Sequence, residues 1–529
     1  MNAQLQTAPK PPNAGGTGED PGASSRRLIL YLGLYFSCHV LVRVLISDSL
    51  ELDEAEQVVL SQWLLPGYSP QPPLYTWLQI LFFETLGTNV FALSLLKNAL
   101  LFFTYTFVFL SCRRLYAESD FAILATLSLL FIQEIAWQSQ RDLTHSVLVL
   151  TVSAATLYVV LRLLEKRSSL DYVLFGLVLG LGMLTKYNYL IFAGALTLSL
   201  FTTETGRTSL TDRRILASLG VAVLIALPYA LWFLSYQETA TASLEKLQIL
   251  RADNVLKGLH STLLSTVLFL TPLWLVYLVF FPAGFLPSNR VSSQKTDLLP
   301  LRSYMMILFE LLVILVVVFH VSHFKTRWMQ PLLFVVPVYF FLHVKPEAVG
   351  KKARKRFVKL ATIVAVLILN AMILRVVGAP LFDCYTDLNY PYDAIANEVR
   401  ALGFYDGVVV AEQRICAGNL RLQFPNSIVL DHKLAIPELS FEISDRPLLV
   451  LWDAKRWHVL PKPLRPYLKK LLGIDTETLP VIFKEVPYRH ARGCYARVGI
   501  IVHYSSKSGV EGKDHETVHG DQPVRKAAP

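Results

Sequence analysis

Charged side chains are scarce in this chain of 529 residues, in which Asp, Glu, Lys and Arg together make up 17%. Soluble globular domains carry about 25% charged residues. Disordered chains have few apolar residues, whereas 53% of this chain is hydrophobic and the mean hydropathy is +0.44. A soluble globular protein and a disordered chain are therefore both excluded. Apolar runs of about 18–22 residues recur along the first three quarters of the sequence, which predicts a polytopic α-helical membrane protein.

Cysteine is also rare, with five residues and no CxxC pair, so a zinc site or a redox motif is not expected. Cys384, Cys416 and Cys494 fall in one predicted compartment, and a disulfide among them stays open. The net charge of +10 raises the question of nucleic-acid binding. Much of the basic excess lies in short loops, such as 351–359, and is not interleaved with aromatic residues. Nucleic acid is therefore not an expected partner.

The apolar runs predict about eleven membrane spans. The spans are expected at 27–46, 89–111, 119–136, 143–163, 170–185, 188–203, 214–236, 260–282, 303–321, 328–344 and 358–377. An odd number of spans places the two ends of the chain on opposite sides of the membrane. Residues 1–26 are rich in Pro, Gly, Ala and Ser, and are expected to form a disordered cytoplasmic tail.

Positive charge is divided unevenly between the two sets of predicted loops. Lys and Arg number 21 in one set and 7 in the other, so the richer set is expected to be cytoplasmic. The other set begins with an external loop at 47–88, which contains no Lys or Arg. The transmembrane module is then 27–379. Alternating β-rich and helical segments after it predict an extracytoplasmic α/β domain over 380–505, followed by a polar tail at 506–529.

Three carboxylates, those of Asp53, Glu54 and Glu56, follow directly on the first span. If residues 53–65 are helical, Asp53 and Glu56 share a face at the positive helix N-terminus, which favours ionised carboxylates. A solvated, acidic helix start would give the same sequence pattern. The carboxylates could deprotonate a nucleophile or hold a divalent cation, and the sequence leaves this choice open.

Two further ionisable positions lie at predicted external ends of spans. Asp142, beside Arg141, starts the fourth span, where a carboxylate is costly unless it is paired or solvated. An ordinary helix N-cap explains Asp142 equally well. Lys186 interrupts a long apolar stretch at the turn between spans five and six. Because lysine is a poor turn residue, this position favours a functional role.

A cluster of cations, His320, His323, Lys325 and Arg327, lies at the predicted external boundary near the tenth span. Such a cluster suits a phosphate or a carboxylate. Snorkelling interface residues are the alternative, although these are usually cytoplasmic. The predicted topology brings these cations and the carboxylates to one side of the membrane. A phospholipid-linked donor and an acceptor hydroxyl would need this combination, with cations on the leaving phosphate and a carboxylate as base.

Five segments carry a resemblance to a known family. They are LDEAEQ, PQPPLYTWLQILFFETLG, QRDLTHSVL, LTKYNYLIF and HFKTRWMQPLLF. Their order and spacing resemble the GT-C membrane glycosyltransferases that use polyprenyl-phosphate sugars, which include the protein O-mannosyltransferases and the lipid A aminoarabinose transferases. The resemblance covers roughly residues 27–345. It implies a GT-C fold that carries an external C-terminal domain.

The resemblance also implies roles for individual residues. Asp53 is then the leading candidate for the catalytic base, with Glu54 beside it and a second catalytic acidic position at Asp142. Lys186 would bind the donor phosphate, together with the basic residues Arg327 and Lys325.

Further substrate-binding candidates are Glu56, Arg141, His323 and Tyr75. Tyr75 belongs with Pro70, Pro72 and Pro73 to a Pro-rich surface element that is expected to shape the acceptor groove.

The amino-acid sequences of these segments resemble most those of bacterial galacturonosyltransferases that modify lipopolysaccharide core or lipid A. The aminoarabinose transferases usually continue the first motif with Arg and Tyr, whereas Ala55 and Gln57 stand nearby here. That departure leaves the donor sugar open. A uronic acid donor would suit the cations His323 and Lys325.

The expected activity is an inverting transfer of a monosaccharide from a polyprenyl-phosphate donor to an envelope acceptor. It would take place on the periplasmic side of the bacterial inner membrane. If the acceptor is itself a phosphate, no base is required and Asp53 would only orient it. A transporter or flippase of a lipid-linked sugar or organic anion is the alternative, and a non-catalytic lipid-reading subunit is a third. Transporters usually place ionisable groups at the bilayer midplane, and only Arg43, Lys97 and Glu310 depart here from the boundary.

Overall fold

The computed structural model of the protein describes residues 21–68, 71–116, 118–241, 255–285, 299–432, 446–472, 479–491 and 493–504. The chain divides into two compact units, Met1–Leu388 and Asn389–Pro529. The predicted tail at 506–529 and residues 1–20 lie outside the described residues. Residues 21–26 form the first turns of a helix, and the disordered cytoplasmic tail stays a prediction. Pro21 suits that start, because the first turn of a helix leaves its N–H groups unpaired in any case.

The first unit consists of helices, which confirms the predicted helical class. Its α-helices are α1 (Pro21–Ile46), α2 (Leu52–Leu60), α3 (Leu74–Leu86), α4 (Val90–Leu115), α5 (Ser119–Leu127), α6 (Ser139–Arg141), α7 (His145–Lys166), α8 (Ser169–Met183), α9 (Asn188–Leu200), α10 (Glu204–Leu210), α11 (Ile215–Ser235), α12 (Gln237–Thr241), α13 (Val255–Leu270), α14 (Leu273–Phe280), α15 (Leu301–Val317), α16 (Gln330–Leu333), α17 (Val336–His343), α18 (Lys351–Val377) and α19 (Ala379–Phe382). Short 3₁₀ segments include Ser128–Phe131, Pro282–Phe285, Thr326–Met329 and Pro346–Ala348, and Glu134–Gln138 is a π-helical turn.

Among the described residues, five helices are long and apolar enough to cross a membrane, namely α1, α4, α7, α11 and α18. Shorter apolar helices include α8, α9 and α13. The total of about eleven spans stays a prediction.

Three of the predicted spans are not continuous helices. The span at 260–282 divides into α13 and α14 at Pro272, because proline has no N–H for the helical hydrogen bond. The span at 328–344 divides into α16 and α17, each of which has a proline in its first turn. The span at 119–136 continues from α5 into 3₁₀ and π-helical turns.

The core of the first unit is a continuous apolar cluster in which α7 is buried along most of its length. α7 packs against α4 and α8, and α1 lies beside α4. Gly176 of α8 allows α11 to approach closely, since a Cβ at this position would stand 2.3 Å from the carbonyl oxygen of Ser218. The outer sides of α11 and α18 expose apolar residues such as Leu224 and Leu367, as expected for helices that face lipid.

The second unit contains a mixed five-stranded sheet. Its strands are β1 (Val408–Ala411), β2 (Ile428–Asp431), β3 (Leu448–Asp453), β4 (Ile482–Pro487) and β5 (Tyr495–His503), and its α-helices are α20 (Tyr392–Ala401), α21 (Arg414–Gln423) and α22 (Leu464–Leu472). The strand order is β2-β1-β3-β5-β4, with β1 parallel to β2 and β3, and β5 antiparallel to β3 and β4.

Four of these strands coincide within two residues with the β-rich runs of the sequence. Those runs are Gly407–Glu412, Ser427–Asp431, Leu448–Trp452 and Arg497–His503. β4 was not predicted because it is an edge strand with a largely solvent-accessible pattern. The bounds of the predicted domain, 380–505, and its external location stay predictions.

Candidate active site

The three carboxylates of the first external loop lie on α2, which is shorter than predicted. α2 ends at Leu60 instead of continuing to residue 65. The backbone turns away there, and the carbonyl of Trp63 accepts the hydroxyl of Tyr68 at 2.5 Å. Pro66 also disfavours helical backbone at the residue before it. Asp53 and Glu56 therefore sit within the first turns of a short helix, where both are half-buried.

Glu54 is the most enclosed of the three carboxylates, with 1% of its side chain exposed. It accepts hydrogen bonds from Arg43 at 2.7 Å and from Lys97 at 3.0 Å. It also accepts the backbone N–H of Glu51, which completes a capping box at the start of α2. Burial opposes ionisation, but the two cations outweigh it and lower the pKa of Glu54 to about 2. This arrangement favours a positioning role for Glu54 over proton transfer.

Asp53 and Asp142 join the start of α2 to the start of α7. Oδ1 of Asp142 accepts the backbone N–H of Asp53 at 2.9 Å. The backbone of Thr144 in turn lies close enough to the carboxylate of Asp53 to oppose the rise in its pKa. Thr144 is the N-cap of α7, so the interpretation of Asp142 as an ordinary cap of its own helix is wrong. Asp142 instead accepts an N–H at the start of α2, where such groups lack helical partners.

The two aspartates are harder to ionise than ordinary carboxyl groups. Removal from bulk water and the charge of Glu56 raise the pKa of Asp53, while Arg327 and Lys186 act in the opposite direction. Burial and the charge of Asp53 raise the pKa of Asp142 to about 6. The expectation that the helix N-terminus favours an ionised carboxylate is therefore wrong for Asp53, whose pKa is raised. A raised pKa brings a carboxylate closer to the range in which general bases work.

Lys186 occupies the turn between α8 and α9, as predicted, and points to the start of α7. Its ammonium group donates a hydrogen bond to Oγ of Ser146 at 2.8 Å. The next turn is tied to the late basic segment, because the side chain of Asn188 donates to the carbonyl of Trp328 at 3.0 Å. Lys186 and Arg327 are thereby both close enough to Asp53 for their charges to lower its pKa.

A cavity of about 620 Å³ contains most of the predicted substrate-binding cations. Its charged and imidazole-bearing lining residues are Glu134, Arg141, Asp142, Lys257, His260, His323, Lys325 and Arg327. His320 does not line it. This polar cavity therefore unites Asp142 with the cations of two distant segments.

A second, narrower cavity of about 180 Å³ is largely apolar. Its walls are formed by side chains such as Leu312, Leu315 and Leu332, with Lys186 and Arg327 as its cations. Arg327 lines both cavities, and Nε of its guanidinium is buried with no hydrogen bond partner among the described residues. The polar and apolar cavities are thus adjacent at a cation that is available to an anion.

Tyr75 lies near this site but is almost fully buried, at 1% exposure. Its ring packs 5.4 Å from the ring of His145. Beside it, Thr76 donates to Gln57 at 2.9 Å, and the amide of Gln57 contacts His145 at 3.1 Å. These contacts fix α3 against α2 and α7. Of the Pro-rich element, Pro70 lies outside the described residues, and Pro73 is the N-cap of α3.

Five residues at or behind the site were given no role from the sequence: Arg43, Lys97, Glu134, Lys257 and His260. Each of these five is an ionisable residue within or beside an apolar run, and the same property identified the predicted site residues. What the sequence withholds is which cation faces which carboxylate, because the partners lie on different helices.

The metal alternative has no cluster to support it within the described ranges, where no group of three or more His, Cys, Asp or Glu side chains has a metal-binding arrangement. The described cysteines, including Cys384, Cys416 and Cys494, are free thiols.

Comparison with known proteins identifies glycosyltransferases as relatives of this chain. The sequence profile of the dolichyl-phosphate-mannose-protein mannosyltransferases matches residues 70–232. The chain is 33% identical over 473 residues to the lipopolysaccharide core galacturonosyltransferase RgtB of Rhizobium johnstonii, covering 87% of this chain and 94% of that protein. It is 30% identical to RgtA of the same organism over 81% of this chain and 86% of RgtA.

The fold is also similar to that of a solved structure. ArnT from Cupriavidus metallidurans, in a crystal structure with bound undecaprenyl phosphate, superposes with a TM-score of 0.53 at 13% identity, over 91% of this chain and 99% of ArnT. Together with the identity to RgtB over nearly its whole length, this similarity confirms the resemblance read from the sequence. The chain therefore belongs to the GT-C family of membrane glycosyltransferases that includes the lipopolysaccharide core galacturonosyltransferases.

Proposed function

We propose that this glycosyltransferase moves a galacturonosyl group from a polyprenyl-phosphate donor to lipopolysaccharide core or lipid A. The transfer takes place on the periplasmic face of the inner membrane by inverting displacement. The names of RgtA and RgtB support the sugar and the acceptor. The lipid bound to ArnT supports the carrier. The unequal distribution of Lys and Arg between the loops supports the orientation.

In this proposal the donor phosphate lies between Lys186 and Arg327. Both residues line the apolar cavity, whose leucine side chains suit a polyprenyl chain. Lys186 is held in place by Ser146, so its ammonium group is already oriented before a ligand arrives. The sugar then extends past Arg327 into the polar cavity.

Asp53 acts as the base. The acceptor hydroxyl oxygen forms a bond to the anomeric carbon while the bond from that carbon to the phosphate oxygen breaks. The electron pair leaves with polyprenyl phosphate, and the hydroxyl proton passes to the carboxylate of Asp53. Lys186 and Arg327 stabilise the negative charge that grows on the phosphate. Asp142 positions Asp53 through the hydrogen bond to its backbone N–H.

The observation that carries the proposal is the convergence of Asp53, Lys186 and Arg327, from three distant segments, at the start of α7. The test uses the full chain in nanodiscs, a polyprenyl-phosphate galacturonate donor and a lipopolysaccharide core acceptor. Asp53→Asn should lower kcat by about 10²–10⁴-fold, the usual contribution of a general base. Asp406→Asn, at an exposed position in the second unit, is the matched control and should be unaffected.

Near-normal transfer by a folded Asp53→Asn variant would remove Asp53 from the mechanism. If the wild-type protein formed no glycosylated product but moved the lipid-linked sugar across a vesicle membrane, the enzymatic proposal would be replaced by transport.

A further inference from the structure

One side of the polar cavity carries basic residues that the proposed reaction does not use. They are Lys257 and His260, from α13, and His323, from the segment before Arg327; we call these three residues the cationic wall. Four lysines and arginines line the whole cavity, against two carboxylates, and the imidazoles add further N–H donors. Lys257 lines this cavity but not the apolar cavity that Lys186 and Arg327 share, so it offers positive charge beyond the two cations assigned to the donor phosphate.

The cationic wall is held rigidly by packing of α13 on the segment that precedes Arg327. The backbone N–H of Phe324 donates to Oγ of Ser261 at 2.9 Å, and Oγ of Ser265 donates to the carbonyl of Phe324 at 2.9 Å. Gly258 permits this approach, because a Cβ there would stand 2.5 Å from the carbonyl oxygen of Val321. These contacts place Lys257 and His260 on the same cavity as His323, and such fixed geometry is what specific recognition requires.

We propose that the cationic wall is a carboxylate subsite that selects a uronosyl group over a neutral sugar. This inference rests on the proposed function and names the part of the chain that reads the sugar. Carboxylates form their strongest hydrogen bonds with cationic donors, and a neutral hydroxymethyl group would leave these donors without a charged partner.

The position of Arg327 favours the donor sugar as the source of this carboxylate. In the proposed reaction Arg327 holds the phosphate, and the sugar is attached directly to that phosphate. His323, which belongs to the cationic wall, lies four residues before Arg327 on the same segment, so the Cα atoms of these two residues are at most about 14 Å apart. A group one sugar ring away from the phosphate is therefore within reach of this side of the cavity.

The experiment compares two donors on the same polyprenyl phosphate, one with a galacturonosyl group and one with a galactosyl group. Lys257→Gln and His260→Gln are assayed in the full chain, singly and together. Each should lower kcat/KM for the uronosyl donor by about 10-fold to 100-fold, as expected for a charge-assisted hydrogen bond, and leave kcat/KM for the neutral donor unchanged. Activity with the neutral donor shows that the variant is folded. Lys257→Arg should restore uronosyl transfer, and Arg213→Gln, at an exposed arginine away from both cavities, is the control for charge alone.

Two results would overturn the inference. Equal losses with both donors, accompanied by a raised KM for the acceptor, would assign the cationic wall to an anion of the acceptor. Unchanged discrimination between the donors in the double variant would leave the wall with no part in recognition. Both results differ from failure of the proposed function, in which the wild-type protein would transfer neither sugar, and this inference would fall with it.

Discussion

Replacing Glu54 by Gln tests whether the buried ion cluster at the start of α2 maintains the site. The change keeps the shape of the side chain but removes the charge that faces both Arg43 and Lys97. Arg43 would keep its bonds to the carbonyls of Ser47 and Ser49, both at 2.7 Å. Lys97 would lose its ion pair with Glu54, which is 3.0 Å long.

The structure gives the expected magnitude. The pKa of Glu54 falls from an ordinary 4.5 to about 2, which corresponds to about 3 kcal/mol in favour of the ionised, folded form. Loss of one partner from a buried ion pair costs about 3–5 kcal/mol, which agrees with this figure. Because the folded pKa is the lower one, the stabilisation is fully present above about pH 4.5 and is lost only as the pH falls towards 2.

The assay is thermal unfolding in detergent at pH 7, followed by sugar transfer at a permissive temperature. Glu54→Gln should lower the unfolding temperature by roughly 6 °C, at about 2 °C per kcal/mol for a large chain. Lys97→Met should cost less, because Arg43 and Glu54 would remain paired. A Glu54→Gln variant as stable as the wild type, or a larger loss in Lys97→Met, would refute the reasoning.

Two further predictions concern acidity and packing. Glu56→Gln removes a charge that raises the pKa of Asp53, so the acidic limb of the pH profile of kcat/KM should move to lower pH. Glu56→Asp keeps the charge and should leave the acidic limb in place. An unmoved limb in Glu56→Gln would contradict the effect of Glu56 on Asp53. Gly258→Ala should lower the unfolding temperature and transfer activity, because the new Cβ would collide with the carbonyl of Val321, while Gly220→Ala, where nothing lies within 4 Å, should be neutral or mildly stabilising. Equal behaviour of the two glycine variants would show that α13 can move away without loss.

The sequence predicts those residues of the candidate site whose charge would be costly to place in lipid. Ionised groups are costly beside lipid, so Asp53, Asp142, Lys186 and Arg327 stood out from their apolar surroundings. Electrostatic contact between Asp53 and both cations agrees with their predicted convergence. The same reasoning also singled out Lys97, but it could not identify Glu54 as the partner of Lys97.

Other features depend on tertiary packing and were not predictable. The cluster of Arg43, Glu54 and Lys97 draws on α1, α2 and α4, and no sequence periodicity links positions on separate helices. The capping of α2 by Asp142 has the same origin, since the donor and acceptor are 89 residues apart. Hydropathy likewise finds the apolar run at 260–282 but not its division at Pro272, because a window average does not weigh one missing N–H.

The guanidinium shared by the two cavities has a consequence for turnover. Under the proposed reaction, the spent carrier lipid keeps the chain of the donor and carries more negative charge on its phosphate, so Arg327 holds the spent lipid at least as firmly as it holds the donor. The spent lipid should therefore compete with fresh donor, and the pace of the enzyme in a cell would depend on how quickly the carrier is cleared from that leaflet and recharged.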